Sequence, residues 1–189
     1  RDCLLSRGLG DVYKRQNVLK QTTARLPWLL IGMLGGIGNS MILGNFDSTF
    51  AAHPEMALYI PLIGGTGGNV GTQSSAIIVQ GLANSSLDAK NTFKQVTKEA
   101  VVALINATII SLLVYTYNFI RFGATATVTY SVSISLFAVV MFASIFGTLV
   151  PMTLEKLKID PAIATGPFIA ITNDIIGMML YMGITVLLS

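Results

Sequence analysis

Long apolar runs separated by short polar connections make up most of the chain. With a window long enough to cross about 30 Å of hydrocarbon, this pattern predicts five membrane-spanning segments. They cover residues 26–46, 56–83, 100–120, 130–150 and 162–188. The runs are continuous and rich in Leu, Ile, Met and Ala, whereas a membrane β-barrel would have alternating segments of about ten residues. The pattern therefore predicts an all-α membrane protein built as a bundle of five transmembrane helices.

The basic residues of the connections predict an orientation. Most lie in the N-terminal segment and in the 84–99 and 151–161 connections, at Lys20, Arg25, Lys90, Lys94, Lys98, Lys156 and Lys158, and Arg121 alone follows the third run. Because Lys and Arg concentrate on the cytoplasmic side of membrane proteins, these three regions are expected in the cytoplasm. We therefore expect a multi-pass protein of the inner or plasma membrane, with its N-terminal side cytoplasmic and its C-terminus outside.

Composition agrees with a membrane setting and excludes several classes of protein. The chain is 52% hydrophobic and 11% charged, against about 25% charged residues in an ordinary soluble domain. Its net charge of +3 comes from basic residues between apolar runs, which does not form the patch that nucleic-acid binding requires. A single cysteine, Cys3, excludes an intrachain disulfide framework and lacks the spacing of a zinc site.

One acidic residue, Asp174, lies near the middle of the fifth apolar run. An acid at the centre of a bilayer costs roughly 2.5 to 3.5 kcal/mol on translocon scales, so it is tolerated mainly beside a wet cavity, a cation or a partner. The alternative is a buried acid satisfied by neighbouring hydroxyls or amides, including those of Thr172 and Asn173. The position favours a path for an ion or a proton.

The second run contains the most unusual local sequence, because five glycines crowd a segment that would otherwise be lipid-facing helix. They are Gly64, Gly65, Gly67, Gly68 and Gly71. On a helix, the polar or small side chains that follow recur every three or four residues and form one stripe. This stripe comprises Asn69, Thr72, Gln73, Ala76 and Gln80. Such a stripe can line water, or it can serve helix packing alone.

The remaining polar residues point to helix contacts rather than chemistry. Asn39 in the first run and Asn106 in the third are interpreted as interhelical contacts. An intramembrane aspartyl protease would need a second deep acid, which the other four runs lack. A serine protease would need a buried histidine, whereas His53 falls in a short connection. We therefore expect no enzyme.

Three long motifs carry a resemblance to a known family. They are GGNVGTQSSAIIVQGLA in the second run, GTLVPMTLEKLKIDPAIATGP between the fourth and fifth runs, and ITNDIIG within the fifth. In this order they resemble the transmembrane domain of MgtE magnesium channels, and the match runs from about residue 17 to the end. The resemblance implies a homodimer whose central pore is lined by the second and fifth helices.

The resemblance also implies a metal site and a substrate. Asp174 matches the pore carboxylate that recognises Mg²⁺, and the backbone of Ala170 with the side chains of Asn69, Thr72 and Gln73 is expected to border the ion path. Mg²⁺ loses its water reluctantly, so two Asp174 carboxylates across a twofold axis would hold it partly hydrated. Mg²⁺ is then the transported ion, and no organic cofactor is expected.

Domain organisation follows from the same resemblance. Residues 1–16 match neither a signal peptide nor the apolar sequence after them, and are interpreted as a non-native or disordered leader. Residues 17–25 resemble the end of a cytoplasmic connecting helix, and residues 26–189 the transmembrane domain. The family's cytoplasmic regulatory domains would precede that helix and are not present in this sequence, so the expected partners are a second copy, the lipid bilayer and those missing domains.

The function predicted from the sequence is transport of magnesium or another divalent cation through a channel-like pore at a homodimer axis. Two alternatives stay open at this point. One is a carrier for another cation, including a proton-coupled transporter. The other is a non-conducting membrane module, in which the glycines pack helices and Asp174 takes a proton.

Overall fold

The computed structural model describes residues 18–87, 91–161 and 166–189. Throughout these ranges the chain forms helices and turns, without a strand. The predicted leader, residues 1–16 with Cys3, lies outside the described residues. The all-α prediction is confirmed.

The described residues form six α-helices and one 3₁₀ helix of six residues. In order they are α1 Val18–Gly44, α2 Asp47–Ala52, the 3₁₀ helix Pro54–Tyr59, α3 Ile60–Ala83, α4 Thr92–Phe122, α5 Thr127–Lys156 and α6 Pro167–Leu188. Four of the helices in the described part of the chain, α1 from Arg25 onward, α4, α5 and α6, are long and apolar enough to cross a membrane. Helix α3 has 24 residues, but its glycines, amides and hydroxyls make it less apolar than the other four.

Two predicted boundaries are wrong by several residues. The second segment was expected to begin at residue 56, but the 3₁₀ helix continues to Tyr59 and α3 begins at Ile60. Pro61 occupies the first turn of α3, where its missing N–H leaves no hydrogen bond unmade. The third segment was expected to begin at residue 100, but α4 begins at Thr92. As a result, Glu99 lies inside a helix of the bundle instead of in a connection.

The last helix begins later than its sequence suggests. The pattern predicts a fifth segment from residue 162, but α6 begins at Pro167, directly after Gly166 with a φ of 77°. Glycine adopts this left-handed conformation without steric cost, and proline at the next position is pre-set for a helix. The predicted start at residue 162 falls among residues 162–165, outside the described ranges. Pro167 therefore starts the helix that carries Asp174.

Helix α5 lies at the centre of the bundle and packs against α3, α4 and α6, whereas α1 packs on α6. The core contains Ile63 of α3, Leu136 and Val139 of α5, and Met178 of α6. Helices α3 and α5 approach closely at Gly71 and Gly147, where an added methyl group on Gly147 would collide with the Gly71 carbonyl oxygen. Glycine is required at this crossing because the two backbones touch.

Buried tyrosines fix the end of the bundle that carries the 3₁₀ helix. The Tyr181 hydroxyl donates to the Met56 carbonyl oxygen at 2.8 Å, and the Tyr59 hydroxyl donates to Oδ1 of Asn118. These two bonds connect the 3₁₀ helix to α6 and to α4. They hold in place the start of α3, which supplies one wall of the site described next.

Candidate functional site

The Asp174 side chain lies on the face of α6 that packs against α3. It is partly exposed, and its Oδ1 atom would stand 3.5 Å from a methyl group added to either Gly64 or Gly68. These two glycines are one helical turn apart, so together they form a flat strip of backbone opposite the carboxylate. The glycine-rich sequence of α3 thereby leaves open space beside the acid.

This space is a groove of about 290 Å³. Its walls come from three helices, and the lining residues include Asn39 of α1, Gly64, Gly68, Asn69 and Thr72 of α3, and Ala170, Asp174 and Met178 of α6. The structure therefore brings together four of the five residues expected at the ion path: Asn69, Thr72, Ala170 and Asp174. The fifth, Gln73, is exposed and does not line the groove.

The Thr72 hydroxyl is oriented by its own helix. Its Oγ1 atom donates to the Gly68 carbonyl oxygen at 2.8 Å and lies 3.1 Å from the Asn69 carbonyl oxygen. A hydroxyl has one proton and two lone pairs. Because the proton is directed at the backbone, Thr72 can offer the groove an oxygen that accepts hydrogen bonds.

The Asp174 carboxylate has no hydrogen-bond or ion-pair partner among residues 18–87, 91–161 and 166–189. Its neighbours Thr172 and Asn173 were the sequence's alternative partners, but Asn173 is buried against Gly71 and its own amide atoms are unpartnered. In the same ranges no group of three or more His, Cys, Asp or Glu side chains forms a metal cage. One chain thus offers a single free carboxylate at the groove.

Asn39 lines the groove, whereas the sequence led us to interpret it as an interhelical contact. It lies on α1, which approaches α6 so closely at Gly35 that an added methyl group there would overlap Ile171. Asn39 follows Gly35 by four residues and shares its face of the helix. Its Oδ1 atom is buried without a partner. In the sequence, the four-residue spacing of Gly35 and Asn39 was the signal that could have placed Asn39 on the face of α1 that meets α6.

Comparison with known proteins now identifies the family. The sequence model of MgtE, described as a divalent cation transporter, matches residues 60–184, which include all of α3 and nearly all of α6. The chain belongs to the MgtE family. The resemblance inferred from the three motifs is confirmed, and with it the prediction that the chain is no enzyme.

Curated relatives agree with this assignment. The chain is 32% identical over 160 residues to the magnesium transporter MgtE of Bacillus subtilis, which covers 85% of this chain and 35% of that protein. It is 32% identical over 177 residues to the magnesium transporter MgtE of Thermus thermophilus, covering 94% and 39%. With that of Enterococcus faecalis the identity is 29% over 169 residues, covering 89% and 37%. This MgtE chain therefore spans less than two fifths of the length of these relatives.

Family membership and the four apolar helices together identify a membrane protein. Nine of the groove residues besides Asp174 lie within the part of the chain that matches the family, and Asn39 lies outside it.

Proposed function

We propose that this MgtE chain transports divalent cations, with Mg²⁺ as its main substrate, along the groove at Asp174. The groove becomes a pore when two copies meet at a twofold axis. The observation that carries the proposal is a carboxylate without a partner among the described residues, directed at a groove of about 290 Å³. The choice of Mg²⁺ is supported by the relatives, which are named magnesium transporters.

The groove walls suit a cation that keeps its water. Mg²⁺ demands octahedral oxygen ligation and loses water reluctantly. Waters bound to a cation direct their hydrogens outward, so the surrounding protein must supply acceptors. The Asp174 carboxylate, the Thr72 hydroxyl oxygen and the Asn69 side-chain carbonyl are acceptors on the groove wall. Gly64 and Gly68 leave the width that a hydrated ion needs.

A second copy is the simplest source of the missing half of the pore. On α3, the amides of Asn69, Gln73 and Gln80 are exposed at the surface of the single chain. Lipid tails cannot hydrogen-bond such groups, which favours another protein surface or water over them. A twofold axis along this face would bring a second Asp174 opposite the first. Two facing carboxylates repel each other, and a divalent cation between them relieves more of that repulsion than a monovalent one.

Helix α3 is the fifth membrane crossing in this proposal. Its 24 residues extend about 36 Å, enough to cross about 30 Å of hydrocarbon. A helix that lines a wet pore can contain polar residues that a lipid-facing helix cannot. Polar residues distinguish α3 from the four more apolar helices, and a helix that lines a pore requires such residues.

Orientation and domain layout complete the proposal. In the plasma membrane, the basic residues near the start of α4 and the end of α5 face the cytoplasm, with the C-terminus outside. Residues 17–25 belong to the end of a cytoplasmic connecting helix, and residues 26–189 belong to the transmembrane domain. Regulatory domains of a full-length protein would then act on the pore through α1.

The test is uptake of Mg²⁺ into vesicles that contain the purified chain. Uptake is followed with a trapped Mg²⁺-sensitive dye, with Mn²⁺, Co²⁺, Ni²⁺ or a proton gradient supplied as competitors. The proposal predicts saturable Mg²⁺ uptake that Asp174→Ala abolishes while the dimer persists in detergent. The matched control is Asp47→Ala, which removes an exposed acid on α2 and should leave uptake unchanged.

The alternatives give different results in the same vesicles. A proton-coupled carrier would need a pH gradient for uptake and would acidify or alkalise the lumen as it works. A non-conducting module would take up no ion in either the wild-type chain or the Asp174→Ala variant. Mg²⁺ uptake that persists with unchanged ion preference in Asp174→Ala would show that the site is elsewhere.

A further inference from the structure

Three oxygen atoms from three helices meet at a second acidic site, away from the groove. Ser74 Oγ of α3 donates to Oε1 of Glu99 on α4 at 2.7 Å, and Ser144 Oγ of α5 donates to the same Oε1 atom. The two serine oxygens are 3.2 Å apart. Both serines are buried, at 5% and 3% exposure. At this Glu99 junction, one carboxylate accepts hydrogen bonds from serines of two other helices.

The hydrogen bonds at the junction satisfy a carboxylate. Each serine hydroxyl has one proton to donate. When both protons are donated to Glu99, no proton remains for a hydrogen bond across the 3.2 Å contact between the two serines. Hydroxyl donors to a carboxylate form stronger bonds than neutral pairs do. Glu99 forms no ion pair within the described ranges. Its acceptor oxygen is therefore held by α3 and α5 rather than by a cation.

The junction joins a partly exposed acid to two buried hydroxyls. Glu99 is seven residues, about 10 Å, from the first residue of α4, and Ser74 is nine residues, about 14 Å, from the end of α3. A buried hydroxyl costs free energy unless it is hydrogen-bonded. The Glu99 carboxylate therefore compensates the burial of both serines, which an apolar residue at this position could not do.

Helix α3 depends on contacts with its neighbours for stability. It contains six glycines in 24 residues, and each lowers helix stability by about 1 kcal/mol relative to alanine. Ser74 lies about 200° around the helix from Thr72, so it holds α3 from the side opposite the groove. One turn earlier, Gly71 meets Gly147 of α5 backbone to backbone. These two contacts together set the rotation of α3, and with it the position of Thr72 relative to Asp174.

We propose that Glu99 is a positioning residue for ion passage: by accepting both serine hydroxyls, it fixes the rotation of α3 that places Thr72 at the groove. Glu99 does not contact the ion. The proposal rests on the proposed transport function, because it assigns Glu99 a role in the geometry of the same groove.

The first measurement is Mg²⁺ uptake as a function of Mg²⁺ concentration, in vesicles containing Glu99→Gln, Glu99→Ala or Ser144→Ala. Glutamine retains an oxygen that can accept both hydroxyls, so Glu99→Gln should keep the maximal rate within about twofold, while Glu99→Ala lowers it at least about tenfold. The half-saturating concentration should change less than about twofold in both, because Asp174 is untouched. Glu155→Ala, which removes an exposed acid of α5, is the matched control.

The second measurement reports the rotation of α3 directly. Thr72→Cys is introduced in a Cys3→Ser background and labelled with a water-soluble methanethiosulfonate reagent. The cysteine at position 72 should be labelled at a similar rate in chains with Glu99 and with Glu99→Gln. In the Glu99→Ala chain the labelling rate should be about tenfold lower, because α3 then turns position 72 away from the groove. A general loss of stability would not be rescued selectively by glutamine.

Each result decides a separate claim. Equal maximal rates and equal labelling in Glu99→Ala and the unchanged chain overturn the positioning role, as does a Glu99→Gln variant that fails like Glu99→Ala. If Glu99→Ala does not yield folded protein, Ser74→Ala and Ser144→Ala replace it, and full rates in both overturn the role. Uptake that survives Asp174→Ala, or a Thr72→Cys chain that never labels, contradicts the proposed transport path instead.

Discussion

The Oδ1 atom of Asp174 faces the bare backbone of Gly68, where an added methyl group would stand 3.5 Å away. This distance is an ordinary van der Waals contact, so a side chain at residue 68 would fit but would occupy the space beside the acid. The close pairing of an acid and a glycine across two helices creates the groove. In the proposed function, that space is where the hydrated ion passes.

Gly68→Val should therefore block transport without unfolding the protein. The branched side chain would fill the groove beside Asp174, and we expect Mg²⁺ uptake to fall at least about tenfold. The control is Gly183→Val, because nothing lies within 4 Å of a methyl group added to Gly183. Uptake by Gly68→Val at the rate of the Gly183→Val control would contradict an ion path at this groove.

Thr72 and Gln73 are neighbours in sequence but should differ in effect. Thr72 lines the groove and offers it an acceptor oxygen, whereas Gln73 is exposed about 100° further around α3. Thr72→Val keeps the shape but removes the acceptor, and should lower Mg²⁺ uptake about fivefold, the size of one net hydrogen bond. Gln73→Leu should change uptake less than Thr72→Val. The reverse order in vesicle assays would favour the stripe predicted from sequence over the groove.

Gly147→Ala should destabilise the bundle. The added methyl group would meet the Gly71 carbonyl oxygen well inside van der Waals contact and lie 3.1 Å from the Ser74 side chain. Overpacking of this kind costs about 1 to 3 kcal/mol, and a backbone atom cannot move aside as a side-chain tip can. Thermal unfolding in detergent should show a lower midpoint than for Gly183→Ala. Equal midpoints would mean that α3 and α5 are further apart than described.

Tyr181→Phe should weaken the opposite end of α6. The change removes the hydroxyl that donates to the Met56 carbonyl oxygen at 2.8 Å, and the loss of one buried hydrogen bond costs about 0.5 to 1.5 kcal/mol. The control is Tyr115→Phe, because Tyr115 is 38% exposed. We expect a lower unfolding midpoint for Tyr181→Phe only. A shift of the same size in both variants would contradict a stabilising role for the buried hydrogen bond of Tyr181.

The sequence predicted the helices well because the length of an apolar run decides whether it can cross a bilayer. It also predicted Asp174, Ala170, Asn69 and Thr72 as neighbours, through the family motifs and through helical spacing on α3. In the structure these four residues line one groove. Their role as an ion site stays a prediction.

What the sequence could not predict depends on how helices cross. Glu99 looked like part of a polar connection, and only the early start of α4 brings it against Ser74 and Ser144, 25 and 45 residues away in sequence. Gln73 shares the polar stripe with Asn69 and Thr72, yet only Asn69 and Thr72 line the groove. The sequence pattern locates the face of a helix only to within a residue or two. It therefore cannot distinguish neighbours such as Thr72 and Gln73.

The central claim is that two Asp174 carboxylates, one from each copy, serve a single shared path. Mixed dimers of the unchanged chain and Asp174→Asn, purified through two different affinity tags, test it most directly in the vesicle uptake assay. A shared path predicts that one remaining carboxylate lowers Mg²⁺ uptake per dimer by at least about tenfold. Mixed dimers with half the normal rate and an unchanged half-saturating Mg²⁺ concentration would contradict it, because each copy would then conduct alone.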